Sequence, residues 1–312
     1  MGKFTLKVLF VSSGNNKFGI TPIVHNQGES LRKAGIDVEY FTIKQKGLKG
    51  YLSALLELRR LLKNKKFDLI HAHYALSSMM AGLASRIPVI VSLMGSDVHE
   101  SSWRRILIRF FSRFFWEAVI VKSNLMYTKI KINNAKIIPN GVDLQRLKSM
   151  NKETARKKVG FKNNKHILFL SNPSRPEKNY QLAEEAVKFL NNPNVELKAV
   201  YDIEYDLIPY YLNSADVLIL TSLWEGSPNV IKEAMTCNLP IVSTDVGDVR
   251  KIIGNTEGCF ICSYDPKNVA EKIKHALNFG KRTNGREKIA HLDSIEIAQE
   301  IIKVYKSVLS NY

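Results

Sequence analysis

Three neighbouring pieces of the chain decide its fold: Val217-Leu-Ile-Leu220, then Glu225-Gly-Ser-Pro-Asn-Val-Ile-Lys-Glu233, then Pro240-Ile-Val-Ser243. The outer two are unbroken apolar runs, the pattern of strands buried on both faces of a parallel sheet. Between them, Ser227 suits a helix cap and Pro228 a first helical turn, so a helix is predicted over residues 228–237. A strand, a loop, a helix and a strand in that order form a crossover unit, which joins parallel strands. The loop has chemical content as well. Gly226 lets a ligand approach the backbone, and the helix start formed by Ser227, Pro228, Asn229 and Val230 exposes amides that make an anion site, of a kind that a diphosphate fits. Eight residues separate Glu225 from Glu233, roughly 12 Å if the whole span is helical. One acid then stands before the amides and the other beyond them, suited to sugar hydroxyls on one side and ribose hydroxyls on the other.

Outward from this unit the same alternation recurs. Strands are predicted at residues 7–11, 38–42, 67–71, 88–93, 118–121 and 136–138, with helices at 25–34, 51–62, 78–85 and 103–116. After Pro139-Asn-Gly-Val-Asp143, a run of turn formers, strands are predicted at 166–171, 196–201, 217–220 and 240–243, with helices at 180–190, 208–213, 228–237 and 266–277. The fold class is therefore α/β, with two Rossmann-like, doubly wound parallel-sheet domains facing across a cleft. The boundary falls at 141/142. Ligands of such sheets lie beyond the carboxyl ends of the strands, so the loops at 12–19, 94–97, 172–178, 222–229 and 244–248 are expected to carry the site.

Composition narrows the function. The 312 residues carry a formal net charge of +17, yet residues 1–140 hold 22 Lys and Arg against 8 Asp and Glu, while residues 141–312 hold 24 against 21. The first half thus carries nearly all of the excess, and an anionic surface or substrate is implied. Nucleic acid would account for the charge but leaves the acid pair without a role, and no nucleic-acid motif is present. Three cysteines, Cys237, Cys259 and Cys262, show no disulfide framework and imply a reducing compartment, the cytosol by default. Cys259-Phe-Ile-Cys262 has no second pair, and no Asp-x-Asp pair for a divalent ion occurs, so no metal and no cofactor are expected. The start of the chain reads as neither a signal peptide nor a membrane span, and no other stretch reaches spanning length.

Further candidates sit in the predicted loops. Arg175 and Lys178 follow the strand at 166–171 and are expected to neutralise a diphosphate and stabilise it as a leaving group. Asp97, in Gly95-Ser-Asp97, is expected to orient an acceptor hydroxyl, with a cap on the helix near Trp103 as its alternative. His71 and His73 flank Ala72 and are expected to project to opposite faces, with His73 on the acceptor side or, alternatively, a core histidine. Gly19 closes the loop Ser13-Gly-Asn-Asn-Lys-Phe-Gly19 and would pass close to phosphates, or else serve an ordinary turn. The segment 103–116 holds four arginines and six aromatics; Trp103 with Arg105, Arg109 and Arg113 is expected to form a cationic stripe beside an apolar face, suited to an anionic bilayer or, alternatively, a core-facing helix with a solvated edge.

These motifs together resemble glycosyltransferase family 4, the group 1 glycosyl transferases of GT-B fold. The resemblance covers nearly the whole chain: Glu225 and Glu233 as the Glu-x7-Glu pair, the flanks Ala215-Asp-Val-Leu-Ile-Leu-Thr-Ser222 and Pro240-Ile-Val-Ser-Thr-Asp-Val-Gly247, Asn140-Gly-Val-Asp143, and Arg175-Pro-Glu-Lys-Asn179. It implies a retaining, metal-independent transfer from a nucleotide-diphosphate sugar, UDP by expectation, to a polysaccharide or lipid-linked glycan in cell-surface polysaccharide synthesis. Glu225 would contact the donor sugar, Glu233 the ribose, and Arg175 and Lys178 the diphosphate. It also implies that a helix over 295–312 belongs with the domain 1–141, leaving 142–294 as the donor domain. Met94 stands where many relatives have a histidine, so no histidine role is carried over there. A sugar-nucleotide epimerase of the same fold is the alternative enzyme, and a basic nucleic-acid-binding protein the alternative outside enzymes. The enzyme is expected in the cytoplasm, at the inner face of the membrane.

Overall fold

A computed structural model describes residues 6–15, 19–45, 47–99 and 101–312. The loop positions Asn16, Lys17 and Phe18 lie outside the described residues. The chain forms two compact units, Met1–Gly141 with Ser294–Tyr312, and Val142–Asp293. The first contains β1 (Lys7–Ser13), α1 (Pro22–Lys33), β2 (Asp37–Ile43), α2 (Gly47–Asn64), β3 (Leu69–His73), α3 (Ala75–Ala84), β4 (Val89–Ser92), α4 (Ser96–His99), α5 (Ser102–Phe114), β5 (Ala118–Val121), α6 (Asn124–Ile130) and β6 (Lys136–Ile137). The second contains α7 (Lys152–Val159), β7 (Lys165–Phe169), α8 (Tyr180–Leu190), β8 (Val195–Ala199), α9 (Ile208–Ser214), β9 (Val217–Leu220), α10 (Asn229–Thr236), β10 (Ile241–Thr244), α11 (Val249–Ile253), β11 (Cys259–Cys262), α12 (Pro266–Phe279) and α13 (Gly285–Lys288), and α14 (Ser294–Leu309) then adds to the first.

Both sheets are parallel. The first runs β2-β1-β3-β4-β5-β6 and the second β11-β10-β9-β7-β8. In each, the strand order reverses about the first strand, between β1 and β3 and between β7 and β9, and a doubly wound sheet opens its crevice at that point. Central strands are sealed on both faces, as the apolar runs require: β9 and β10 are buried throughout. In the second unit α8 and α12 bury Leu182, Ala183, Ala186, Val269 and Ile273 against β7, β9 and β10. The α12 ends are written in its sequence: Asp265 accepts the Lys267 amide (3.1 Å), Pro266 starts the helix, and Gly280 (φ +67°) ends it.

In the first unit α2, α3, α5 and α6 share one core with the sheet. α14 packs beside α1, and its Tyr305, fully buried, meets His71 of β3 with a 2.6 Å contact between its hydroxyl and Nδ1. The strand predicted at 67–71 is displaced to Leu69–His73 because Phe67 and Asp68 serve the turn before it, Asp68 accepting the Lys7 amide. Helices α4, α6, α7, α11 and α13 escaped the sequence reading; each is at most eight residues long and shows too little periodicity to register.

Replacing Tyr305 by Phe leaves His71 Nδ1 without its partner in a site closed to water, while Nε2 keeps Ser92 Oγ (2.9 Å), so Tyr305→Phe is expected to cost about 1–3 kcal/mol. A urea midpoint equal to that of the parent protein would show that this bond does not secure α14.

Candidate functional site

In the second unit, three loops meet at the carboxyl ends of β7, β9 and β10. They are fastened by backbone and hydroxyl contacts: Leu223 N donates to Glu177 O (2.9 Å), Thr221 Oγ1 to Asn179 O (2.9 Å), and Thr244 Oγ1 to Ser222 O (2.7 Å). Gly247 lies at φ +60°, and a Cβ there would come within 2.8 Å of Gly226 O, so the β10 loop presses on the β9 loop where only glycine fits.

Lys178 ends a short 3-10 turn (Pro176–Lys178) and Glu225 sits in the β9 loop, and the two form a 2.5 Å ion pair, each side chain 13% exposed. Ser222 Oγ donates to the same Glu225 oxygen, Oε1 (2.8 Å), so two donors converge on one side of this carboxylate. Arg175 is folded differently: its guanidinium is half exposed and binds Glu177, with Nε at 2.8 Å. The structure therefore gives Arg175 and Lys178 separate carboxylate partners.

Helix α10 begins at Asn229 with Pro228 in the cap position, one residue later than predicted, and no side chain caps it. Its first amides, from Asn229 and Val230 onward, have no partner within the helix, as at any helix start. Ser227 is not the cap. It is drawn away because its hydroxyl donates to Asp248 Oδ2 (2.7 Å) while accepting from the buried Lys232 (2.6 Å). Only the second half of the Glu225 to Glu233 span is helical, so the roughly 12 Å rise expected for a continuous helix does not apply. The wholly buried Lys232 has its pKa lowered to about 8 by that burial, against the pull of Asp248 and Glu233. Glu233 is buried beneath the same helix and accepts from Tyr205 Oη (3.2 Å), with Arg146 stacked over the Tyr205 ring. Burial pushes the Glu233 carboxyl up to about 7, opposed by Tyr205 and Lys232. Sequence reading missed Ser222, Tyr205 and Asp248 as partners, and it offered Lys232 as a partner of Glu233 but not of Ser227. Asp248 lay in a loop already singled out, whereas Tyr205 gave no signal because its role is tertiary.

In the first unit, a cavity of about 330 Å³ lies at the carboxyl ends of β1, β3 and β4, lined by Asn15, Thr21, Tyr51, Ser77, Asp97 and Arg104 among others. Asp97 accepts the amides of Ala75 and Met94, both at 2.8 Å. It thereby anchors the start of α3 and the Gly95 turn. The alternative of a cap for the helix near Trp103 is corrected, since the α5 cap position is Ser101. Gly19 has φ +77°, a conformation that asks for glycine, and a Cβ there would meet nothing within 4 Å.

The histidine expectation is overturned. Residues two apart on a strand share a face, and the rings of His71 and His73 stack with centroids 4.4 Å apart. Both are fully buried, and His73 Nε2 meets Gln27 Oε1 (2.7 Å). Burial, with Lys122 nearby, depresses the His73 pKa to about 3, so it is a neutral core residue rather than one on an acceptor surface. The arginine stripe is corrected too. Arg105 donates to Val98 O (2.9 Å) and Arg109 to Ile130 O (2.7 Å), which leaves Arg113 as the exposed member. Most of what α5 shows to solvent beside Arg113 is apolar: Trp103 is 56% exposed, Ile106 63%, Phe110 51% and Phe114 66%. No group of three or more His, Cys, Asp or Glu able to hold a metal occurs among the described residues.

Two doubly wound parallel sheets with polar loops gathered at their strand ends define a two-domain α/β protein of Rossmann-like architecture. Its family is that of the group 1 and family 4 glycosyltransferases, to which the chain belongs: the model for Glycosyltransferase Family 4 matches residues 19–146 and that for Glycosyl transferases group 1 matches residues 173–278. The chain is 25% identical over 249 residues to UDP-Gal:alpha-D-GlcNAc-diphosphoundecaprenol alpha-1,3-galactosyltransferase of Escherichia coli, covering 65% of this chain and 64% of that one. It is 26% identical over 238 residues to the putative teichuronic acid biosynthesis glycosyltransferase TuaC of Bacillus subtilis, covering 66% and 60%. It thus spans less than two thirds of the length of either relative. Among solved structures, Anabaena Alr3699/HepE in complex with UDP and glucose superposes with a TM-score of 0.79 at 19% identity, covering 97% of this chain and 100% of that one, and the fold is GT-B.

Glu233 also makes a pH prediction. Below about 4.5 the carboxyl is protonated whether the chain is folded or not; between about 4.5 and 7 only the folded state keeps the proton. Stability therefore falls as pH rises through that window and then levels. Glu233→Gln removes the penalty and is expected to be more stable than the parent at pH 8 by on the order of 1–3 kcal/mol, with little difference at pH 4. Thermal unfolding at the two pH values checks this, and an equal gap at both would sink it.

Proposed function

We propose that the chain transfers a glycosyl group from a UDP-sugar to a glycan or lipid-linked acceptor in cell-surface polysaccharide synthesis, with retention of configuration. One observation carries the reading: the Lys178–Glu225 ion pair and the buried Glu233 flank, in sequence, the α10 start, in the loop region where the second sheet reverses its order. The donor diphosphate lies on those amides, with Lys178, and Arg175 released from Glu177, offsetting its charge. Glu225 receives sugar hydroxyls once Lys178 turns to phosphate, and Glu233 receives the ribose hydroxyls in place of Tyr205. Gly226, Ser227, Pro228, Asn229 and Val230 shape this seat. The acceptor belongs to the first unit, where Asp97 holds the cavity in shape through Ala75 and Met94.

In the reaction the anomeric C–O bond to the diphosphate breaks and its electron pair leaves with UDP. The acceptor oxygen bonds to the same face of the sugar, and its proton passes to the departing phosphate oxygen. Donors fixed on that oxygen act where charge develops, which is where such groups accelerate most. No cofactor enters the step. The relatives named for undecaprenol-linked and teichuronic acid synthesis support the acceptor class, and the HepE complex supports UDP.

The exposed apolar ridge of α5 supports docking on a membrane, with Arg113 at its end drawn to anionic headgroups. The three free thiols, Cys237, Cys259 and Cys262, fit the reducing, cytoplasmic side. No described helix is long and apolar enough to cross the bilayer.

Two outcomes test these readings. With UDP-sugars and undecaprenol-diphosphate sugars, Lys178→Ala and Glu225→Gln are each expected to lower kcat about 10²- to 10³-fold, with UDP stabilisation of the fold lost in Glu233→Ala; no UDP-induced thermal shift in the parent, or an epimerised donor as product, would refute the assignment. In vesicle sedimentation, Phe110→Ser with Phe114→Ser is expected to abolish binding to phosphatidylglycerol-containing bilayers. Unchanged binding would remove α5 from the docking surface.

A further inference from the structure

At the amino ends of the first sheet, opposite the cavity that Asp97 shapes, a second and larger hollow opens between the last turns of α2 and α3. Its volume is about 1110 Å³. Phe67 and Ile87, which lead into β3 and β4, contribute its apolar lining, and Leu56 and Leu83 stand at its edge, 54% and 45% exposed. Six cations surround this lining and one acid, Asp68, accompanies them. Arg59 ties the two helices together by donating to Leu83 O (3.0 Å), and Lys65 pairs with Glu39 (2.9 Å). Arg60, Lys63, Lys66 and Arg86 have no carboxylate partner among the described residues.

The α2 stripe makes the pattern legible in sequence. Leu52, Leu56, Arg59 and Lys63 follow at helical intervals along one side, so the helix passes from apolar to cationic as it runs toward the groove. α2 packs on α3 and α3 on α5, so the exposed leucines of α2 and α3 belong to the same helical layer as the α5 ridge. A soluble polyanion has no use for an apolar floor, and an uncharged apolar partner has none for four unneutralised cations. A phospholipid offers a phosphate and a hydrocarbon chain within one molecule, and basic residues close to a membrane each add attraction to an anionic leaflet.

We propose that the groove between the ends of α2 and α3 receives the headgroup phosphate of an anionic phospholipid, with Leu56 and Leu83 entering the upper acyl region. This rests on the reading that α5 docks on a bilayer, and it extends the contact from one helix to three, with a defined lipid site at its basic end.

The test uses the full chain and sedimentation with vesicles of phosphatidylcholine alone or with phosphatidylglycerol. The variant Arg60→Glu, Lys63→Glu, Lys66→Glu is expected to bind phosphatidylglycerol vesicles at least tenfold more weakly than the parent, with the UDP-induced thermal shift unchanged as the measure of an intact donor unit. Leu56→Ser with Leu83→Ser is expected to weaken the same binding while leaving affinity for dextran sulfate as it was. Parent-like vesicle binding by the charge variant overturns the groove, and if Phe110→Ser with Phe114→Ser still abolishes binding, the α5 reading stands without it. Vesicle binding untouched by the leucine pair makes the groove a site for soluble polyanions instead. Absence of binding by the parent overturns both.

Discussion

Strands covered on both faces leave polar loop chemistry to gather at their ends, and the arrangement of the second unit's candidate site follows from that constraint. β9 and β10 are closed to solvent, so Glu225, Ser227 and Asp248 are confined to the loops beyond them. The parallel arrangement brings all of those loops to one edge. The reversal of order between β7 and β9 then opens a gap there, with Lys178 on one side and Glu225 on the other, and their ion pair bridges it.

The loops are also held firmly against one another, by Leu223 to Glu177, Thr244 to Ser222 and the pressure of Gly247 on Gly226. Such fastening matters for a site whose groups must be aligned before a charged ligand arrives. Its cost appears at Glu233, a carboxylate kept in a poorly hydrated place by Tyr205 and a neighbouring buried lysine. Residues that burden the fold in this way are ordinary at functional sites, where stability yields to the needs of a ligand.

How much of this could be read from the sequence depended on whether the determinant was local. The bounds of α8 and β9 and the start of α12 at Pro266 follow directly from the local pattern, while α12 runs two residues past the predicted 277, to the stop at Gly280. The acid pair and its helix start were legible because they share one short segment. The Ser227 hydroxyl was misread because its partner, Asp248, is distant in sequence, and Arg105 and Arg109 because their acceptors are the carbonyls of Val98 and Ile130. His71 and His73 are a different kind of error: strand periodicity puts both on one face, and the stacking of their rings follows from it. The link from His71 to Tyr305 joins residues 234 positions apart, and no local pattern announces it.

That link has a consequence for how the molecule is made. The second unit is one continuous segment and holds all of its own strands once residue 293 has emerged. The first unit, although synthesised earlier, lacks α14 until residues 294–309 appear, and Tyr305 is among its largest fully buried side chains. During translation, therefore, the earlier-born sheet waits with His71 and the side of α1 that α14 will cover still open to water, while the later-born one can close first. A nascent chain of this design inverts the usual order in which domains mature.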